Sequence, residues 1–156
     1  MCDSGNETPE LFLIKRARRE DDPWSGQMAL PGGRRESEDV DLVQTACRET
    51  LEETGIVLRA EDLIGELDDL RPMGPGLPRI VVRPFVFLLH ATPEVVTNHE
   101  VDLHLWVDFS DLPALADAAT VTVDGRPIDV PAFNIGPHVV WGLTERILKS
   151  FIDLCV

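Results

Sequence analysis

Glu49, Glu52 and Glu53, with Arg48 beside them, are the residues whose types and spacing point to chemistry. Successive residues of an α-helix turn by about 100°, so the three glutamates share an arc of roughly 100°. Like charges at these spacings repel, by a few tenths of a kcal/mol for each i,i+4 pair. A stable helix has no need of that arrangement, so something cationic should compensate it. Hard carboxylate oxygens favour Mg²⁺ or Mn²⁺ over a soft metal. Arg48 can pair with Glu52 at i,i+4 and orient it, yet one guanidinium cannot neutralise three carboxylates. A solvated acidic helix face is the plain alternative.

Two elements must position these groups. The first is a helix ending at the stop signal Gly55, with Val43, Ala46, Cys47, Thr50 and Leu51 on the arc opposite the glutamates as the predicted core-facing side. The second is the turn Pro31-Gly32-Gly33 ahead of it. Two glycines let the backbone fold tightly and approach a ligand that a Cβ would obstruct. The Gly32 carbonyl is then a candidate neutral metal ligand facing the helix carboxylates. An ordinary Pro-Gly turn is the competing reading.

Together the turn and the run Arg48-Glu49-Thr50-Leu51-Glu52-Glu53-Thr54-Gly55-Ile56 resemble the Nudix box, G-x5-E-x7-R-E-U-x-E-E-x-G-U with U apolar. Thr50 stands where the family is usually more apolar. Counted from Gly33, the loop is one residue longer than the box, as in coenzyme A pyrophosphatase-like members. Counting back from Arg48 places the first box Glu on Val40, so its loop-bracing role is open between Glu38 and Asp39. The resemblance implies an α+β fold, a Nudix-type α/β/α sandwich with a mixed central sheet. It further implies a divalent-metal-dependent pyrophosphohydrolase cleaving a nucleoside diphosphate linked to a group X of coenzyme A, ADP-ribose or nucleotide-sugar type. Mg²⁺ or Mn²⁺ would be held by Gly32, Glu49, Glu52 and Glu53, and a box Glu or Glu100 would be the base. Removal of oxidised dNTPs from the nucleotide pool is a second reading, and a non-catalytic nucleotide sensor a third.

Length and charge bound these readings. The 156 residues suit a single domain spanning 1–156, and 44% hydrophobic content supports a buried core. A net charge of −14 argues against general nucleic-acid binding but permits a small nucleotide substrate held through metal ions and a few arginines. No run approaches the roughly 20 apolar residues of a membrane span, and the polar start predicts a cytoplasmic protein without membrane association. A homodimer is an allowed assembly. Cys2, Cys47 and Cys155 suggest neither a zinc site nor a disulfide framework.

Along the chain, Leu11 to Lys15 predicts a buried strand followed by the basic residues Arg16, Arg18 and Arg19. The family's usual preceding strand is missing or replaced, so either the start is truncated or another element covers that edge. Arg16 is a candidate for substrate phosphates, and Trp24 for stacking on a base. Glu61 to Asp69 predicts a short strand, and Ile80 to Leu89 a stronger one interrupted by Pro84. Arg79 and Arg83, in a Nudix setting, are phosphate candidates. Asn98 to Val107 alternates into a strand, with Glu100 at a position where the family often places an extra acidic ligand or base. Asp111 to Ala118 predicts a short helix, Asp124-Gly125 a hairpin turn, and His138 to Asp153 a closing amphipathic helix. Phe133 is a candidate for reading a base.

Overall fold

The computed structural model describes residues 1–2, 8–20, 22–74 and 76–155. In chain order the elements are β1 (Glu10–Arg16), β2 (Met28–Ala29), α1 (Leu42–Thr54), β3 (Leu63–Glu66), β4 (Phe85–Phe87), β5 (Val101–Asp108), α2 (Leu112–Leu115), β6 (Ala116–Val123), β7 (Arg126–Ile135), β8 (His138–Trp141) and α3 (Gly142–Cys155). Single 3₁₀ turns precede β3 and α2. The architecture is α+β.

β1 organises the core. Strand side chains alternate between faces, and both faces of this strand are covered, which is why its sequence is a continuous apolar run. Leu11 and Leu13 join Met28, Val107, Leu112, Phe133, Val140 and Leu148 in one cluster. Phe12 and Ile14 join Ile56 and Val101 in the other. Leu13 and Ile14 are fully buried. β1 pairs antiparallel with β5 along its whole length and with β2 near its end, through Ile14↔Ala29 and Lys15↔Met28. β3 and β4 form a separate two-stranded sheet, and β6-β7-β8 a three-stranded one. Parallel character is confined, among the described residues, to the bridge between Cys2 and Leu89.

Several expectations are corrected. The strand predicted over Ile80 to Leu89 is regular only at Phe85–Phe87, because Pro84 has no N–H to donate; its carbonyl instead accepts from Leu67. The predicted helix over Asp111 to Ala118 is a single turn, and β6 begins at Ala116. The closing helix starts at Gly142 rather than His138, because His138–Trp141 pairs with Ala132–Ile135 as β8. The Asp124-Gly125 turn does form, both residues taking positive φ (49° and 73°) between β6 and β7. No helix among the described residues is long and apolar enough to cross a membrane.

α1 also turns differently from expectation. Its buried residues are Thr45, Thr50, Glu53 and Thr54, and Leu51 is 47% exposed. Of the arc assigned to the core, Thr50 is buried and Val43, Ala46 and Cys47 are half-buried, but Leu51 faces solvent, and the Glu53 carboxylate faces inward instead.

Candidate active site

Helix α1 is held at both ends. Asp41 accepts from the Gln44 N–H at 2.8 Å, and the Gln44 side-chain oxygen accepts in return from the Val40 N–H at 2.6 Å. Gly55 closes the helix in the left-handed region at φ 72°, its N–H donating to the Leu51 carbonyl at 2.8 Å. With the rod fixed, Arg48, Glu49, Glu52 and Glu53 are presented in one turn toward the loop that precedes it.

The loop is built on Asp39, a residue the sequence left ambiguous with Glu38. Its carboxylate is 3% exposed and accepts from Arg48 Nε and Nη2 at 3.0 and 2.9 Å, the Glu36 N–H at 2.9 Å and the Thr45 hydroxyl at 2.9 Å. The Arg48 fork holds the Asp39 carboxyl well below the usual carboxylate range. Arg48 Nη2 also donates to the Arg34 carbonyl at 3.0 Å, and Arg35 donates to the Asp39 and Val40 carbonyls. Glu38, by contrast, is exposed and accepts from Ser37 Oγ. The signal that could have separated the two was the position of Thr45, one helical turn before Arg48 and able to share the same carboxylate.

The third nitrogen of Arg48, Nη1, donates to Glu49 at 3.0 Å and to Glu52 at 3.4 Å. Glu53 turns the other way. It is 3% exposed and accepts from the Gly32 N–H at 3.0 Å, tying helix to turn. Burial pushes its carboxyl up to about 7; Glu49 and Glu100 add to the shift, and the Gly32 N–H and Arg16 oppose it. Burial likewise raises Glu49, with Arg48 opposing and Glu52 and Glu100 adding. Glu49, Glu53 and Glu100 are thus close enough to sense one another's charge, although Glu100 arrives from a loop some 47 residues on.

The glycines divide the work. Gly32 has φ 150°, where an L side chain is strained, and open space around it. A Cβ on Gly33 would instead land on the Glu49 carboxyl group. Gly33→Ala is therefore expected to cost little stability, since Glu49 can swing away, while lowering turnover roughly tenfold or more by displacing that carboxylate. Gly32→Ala is expected to cost on the order of 1–3 kcal/mol through backbone strain. Thermal melts set beside turnover rates check both; a Gly33→Ala enzyme at full rate would contradict the close approach.

The remaining candidates separate. Arg16 is paired with Asp22 at 2.9 and 2.8 Å, and the same Asp22 accepts from the Trp24 backbone N–H at 3.0 Å. Arg16, Trp24, Gly32 and Gly33 share the wall of a cavity of about 660 Å³. Arg83 lines it too, but its guanidinium is forked onto Asp69 at 2.7 and 3.0 Å. Arg79 is exposed. Phe133 is a correction: it is 3% exposed in the core cluster with Leu13, Leu112 and Val140, leaving no ring face for a base. Arg19, singled out only as part of a basic run, pairs with Glu100 at 3.2 Å.

Among the described residues no three His, Cys, Asp or Glu side chains converge tightly enough to hold a metal ion as they stand. The chemistry of the donors nevertheless suits a hard cation. They are oxygen atoms, two of the carboxylates have proton affinity raised by burial, and the turn beside Glu49 is kept free of a Cβ.

Residues 1–125 match the NUDIX domain family model. An uncharacterized Schizosaccharomyces pombe protein is 40% identical over 116 residues, covering 71% of this chain and 35% of that protein. The human mitochondrial coenzyme A diphosphatase is 30% identical over 151 residues, covering 94% of this chain and 63% of that protein. The chain thus spans about a third of the length of the first relative and under two thirds of the second. Among solved structures, a MutT/nudix family protein from Enterococcus faecalis superposes with a TM-score of 0.65 at 20% identity, over 95% of this chain and 56% of that one.

Proposed function

This chain belongs to the Nudix family, and from that premise we propose that it is a divalent-metal-dependent hydrolase of a nucleoside diphosphate linked to a second group, with coenzyme A the foremost type. The observation that supports the reading is the grouping of Glu49 and Glu53 beside the Gly32-Gly33 turn, both with carboxyl groups of raised proton affinity and both within reach of the Glu100 charge. The similarity to a coenzyme A diphosphatase supports the substrate type.

Mg²⁺ or Mn²⁺ held by Glu49, Glu52, Glu53 and the Gly32 carbonyl would supply polarisation of the diphosphate and a more acidic bound water. Arg48 orients Glu49 and Glu52 by pairing with both carboxylates. A box glutamate or Glu100 accepts the proton of the attacking water, whose oxygen bonds to one phosphorus while the bridging oxygen leaves with the other. Arg16 and Trp24, which line the cavity wall, would meet the phosphates and the base. The products are a nucleotide and a phosphorylated partner group.

Coenzyme A, ADP-ribose, nucleotide sugars and oxidised dNTPs, each assayed with and without Mg²⁺, test the proposal. Mg²⁺-dependent release of the 3′-phosphorylated nucleoside monophosphate from coenzyme A is expected; no turnover of any substrate would overturn it, and preference for oxidised dNTPs would replace the substrate type. A second expected outcome concerns stability alone. At pH 8, Mg²⁺ at a hundred times its Kd should stabilise the protein by about 2.7 kcal/mol, a rise in Tm of roughly 5–10 °C for a domain of this size. At pH 5.5 the shift should shrink sharply, because Glu53 then holds a proton that the ion must displace.

A further inference from the structure

The two basic residues that end β1 take different partners. Strand alternation sends Phe12, Ile14 and Arg16 to one face of β1 and Leu11, Leu13 and Lys15 to the other. The ladder with β5 breaks between them: Lys15 pairs with Leu103, Arg16 with Val101, and Asp102 is the extra residue of a bulge. Lys15 turns to that exposed residue, its Nζ 3.4 Å from the Asp102 carboxylate. Arg16 goes the other way. It lines the cavity with Phe12, and its charge is close enough to Glu53 to oppose the rise of that carboxyl.

The partner of Arg16 is Asp22, midway along the loop from β1 to β2. One oxygen, Oδ2, accepts from Arg16 Nε at 2.9 Å and lies 2.8 Å from Nη2; the other, Oδ1, accepts from the Trp24 backbone N–H at 3.0 Å. The second bond closes an Asx turn. The backbone fastens the same loop again: Ser25 N–H donates to the Asp22 carbonyl at 3.0 Å, Gln27 N–H to the Trp24 carbonyl at 3.1 Å, and Arg16 N–H to the Gln27 carbonyl at 2.9 Å. The Asp22 side chain is 14% exposed, so this pair is screened less than a surface salt bridge. One carboxylate thus ties a guanidinium to the backbone of a tryptophan, and both of those residues wall the cavity. A guanidinium has five N–H donors in a rigid fork, and Asp22 engages the Nε and Nη2 side, which leaves Nη1 for a second anion.

We propose that Asp22 is a positioning residue for the substrate: it fixes Arg16 relative to Trp24, so that the guanidinium meets a phosphate while the indole meets the base of the same nucleotide. The inference rests on the reading that this cavity takes a nucleotide, and it adds the residue that sets the spacing of the two contacts. A free arginine side chain loses rotamer freedom when it binds an anion; bracing it beforehand removes that cost. Asp22 touches neither phosphate nor base, and it acts through Arg16.

Asp22→Asn isolates the brace, because the amide oxygen can still accept from the Trp24 N–H while the charge toward Arg16 is gone. The 156-residue chain and this variant are compared in two measurements. One is steady-state kinetics with Mg²⁺ on whichever of coenzyme A, ADP-ribose, nucleotide sugars and oxidised dNTPs is turned over fastest; the other is calorimetric titration with ADP and Mg²⁺. KM and the Kd for ADP should each rise about tenfold while kcat stays within about threefold, the pattern of binding lost equally from ground and transition states. In an Arg16→Ala background the same substitution should change either constant by no more than about twofold, because no guanidinium is left to position. If Asp22→Asn does not fold, Asp22→Ser replaces it with the same expectations, since its hydroxyl can also close the turn onto Trp24. Unchanged KM and Kd, a fall in kcat at parental KM, or equal effects in both backgrounds would each sink the proposal; the last would make Asp22 a clip for the loop alone. A parent that hydrolyses nothing yet binds ADP with this dependence on Asp22 refutes the hydrolase reading only. Turnover with a KM and Kd indifferent to Asp22 refutes this inference only, and a parent showing neither turnover nor ADP binding refutes both.

Discussion

Glu53→Gln is expected to lower metal-dependent turnover by roughly a hundredfold or more with the fold intact. The substitution is isosteric, and its side-chain oxygen can still accept from the Gly32 N–H, so the link between α1 and the turn survives. What disappears is the charge. The same change has a second readout that separates a site carboxylate from a structural one. The Glu53 carboxyl is pushed up to about 7 from an ordinary value of 4.5, so the ionised form is disfavoured by the fold. A raised carboxylate pKa penalises the native state: the penalty is absent below about pH 4.5, grows toward pH 7 and is complete above it. Its size is on the order of 1–3 kcal/mol. In EDTA at pH 8.5 the Gln variant should therefore melt a few degrees above the parent, and at pH 5 the two should converge. A variant that is less stable at pH 8.5 while hydrolysing substrate at the parental rate would show Glu53 to be an ordinary structural hydrogen-bond acceptor.

That prediction depends on a feature only half legible in the sequence. The acidic spacing and the stop at Gly55 placed the carboxylates on one turn of a helix, and they are there. Apolar periodicity then assigned Leu51 to the core and implicitly turned Glu53 outward. Periodicity weighs hydrophobicity, and α1 buries Thr45, Thr50 and Thr54 with Glu53, a mostly polar face on which the Thr45 and Thr54 hydroxyls bond to Asp39 and to nearby backbone. A buried ionisable group among hydroxyls is where a rule that counts only hydrophobicity fails. β1 was legible because burial on both faces leaves an unbroken apolar run. β8 was not: His138–Trp141 is four residues long, and its Val139 falls in register with the helical pattern that follows. Phe133 was misread for a related reason. It was a candidate for reading a base, but the segment is β7, paired on both sides, and Phe133 is buried there in the core cluster. The pairing of Arg16 with Asp22 and of Arg83 with Asp69 joins residues 6 and 14 apart through loops whose conformation no short-range pattern dictates.

Asp39→Asn should lower turnover by roughly ten- to a hundredfold, the usual cost of losing a partner that orients ligand residues. Asp39 touches neither cavity nor substrate; it acts by engaging two nitrogens of Arg48 while the third reaches Glu49 and Glu52. Asn presents one acceptor oxygen and no charge, so the guanidinium is released to compete for the glutamates. Arg48→Lys should produce a similar defect, because an ammonium cannot span Asp39, the Arg34 carbonyl and Glu49 at once. Glu38→Gln serves as the internal reference: an exposed side chain bonded to Ser37 should leave rate and melting temperature near parental values. The pH signature differs from that of Glu53. Arg48 holds the Asp39 carboxyl far below its ordinary 3.8, so the stability this pair confers is present at every pH above that value and is lost only as acid protonates the native carboxylate. The Asp39→Asn variant should accordingly melt below the parent by a constant margin from pH 5 to pH 9. If Glu38→Gln were the damaging change and Asp39→Asn the silent one, the loop would be braced from the other residue, and the orientation of Arg48 toward Glu49 and Glu52 would need a different cause.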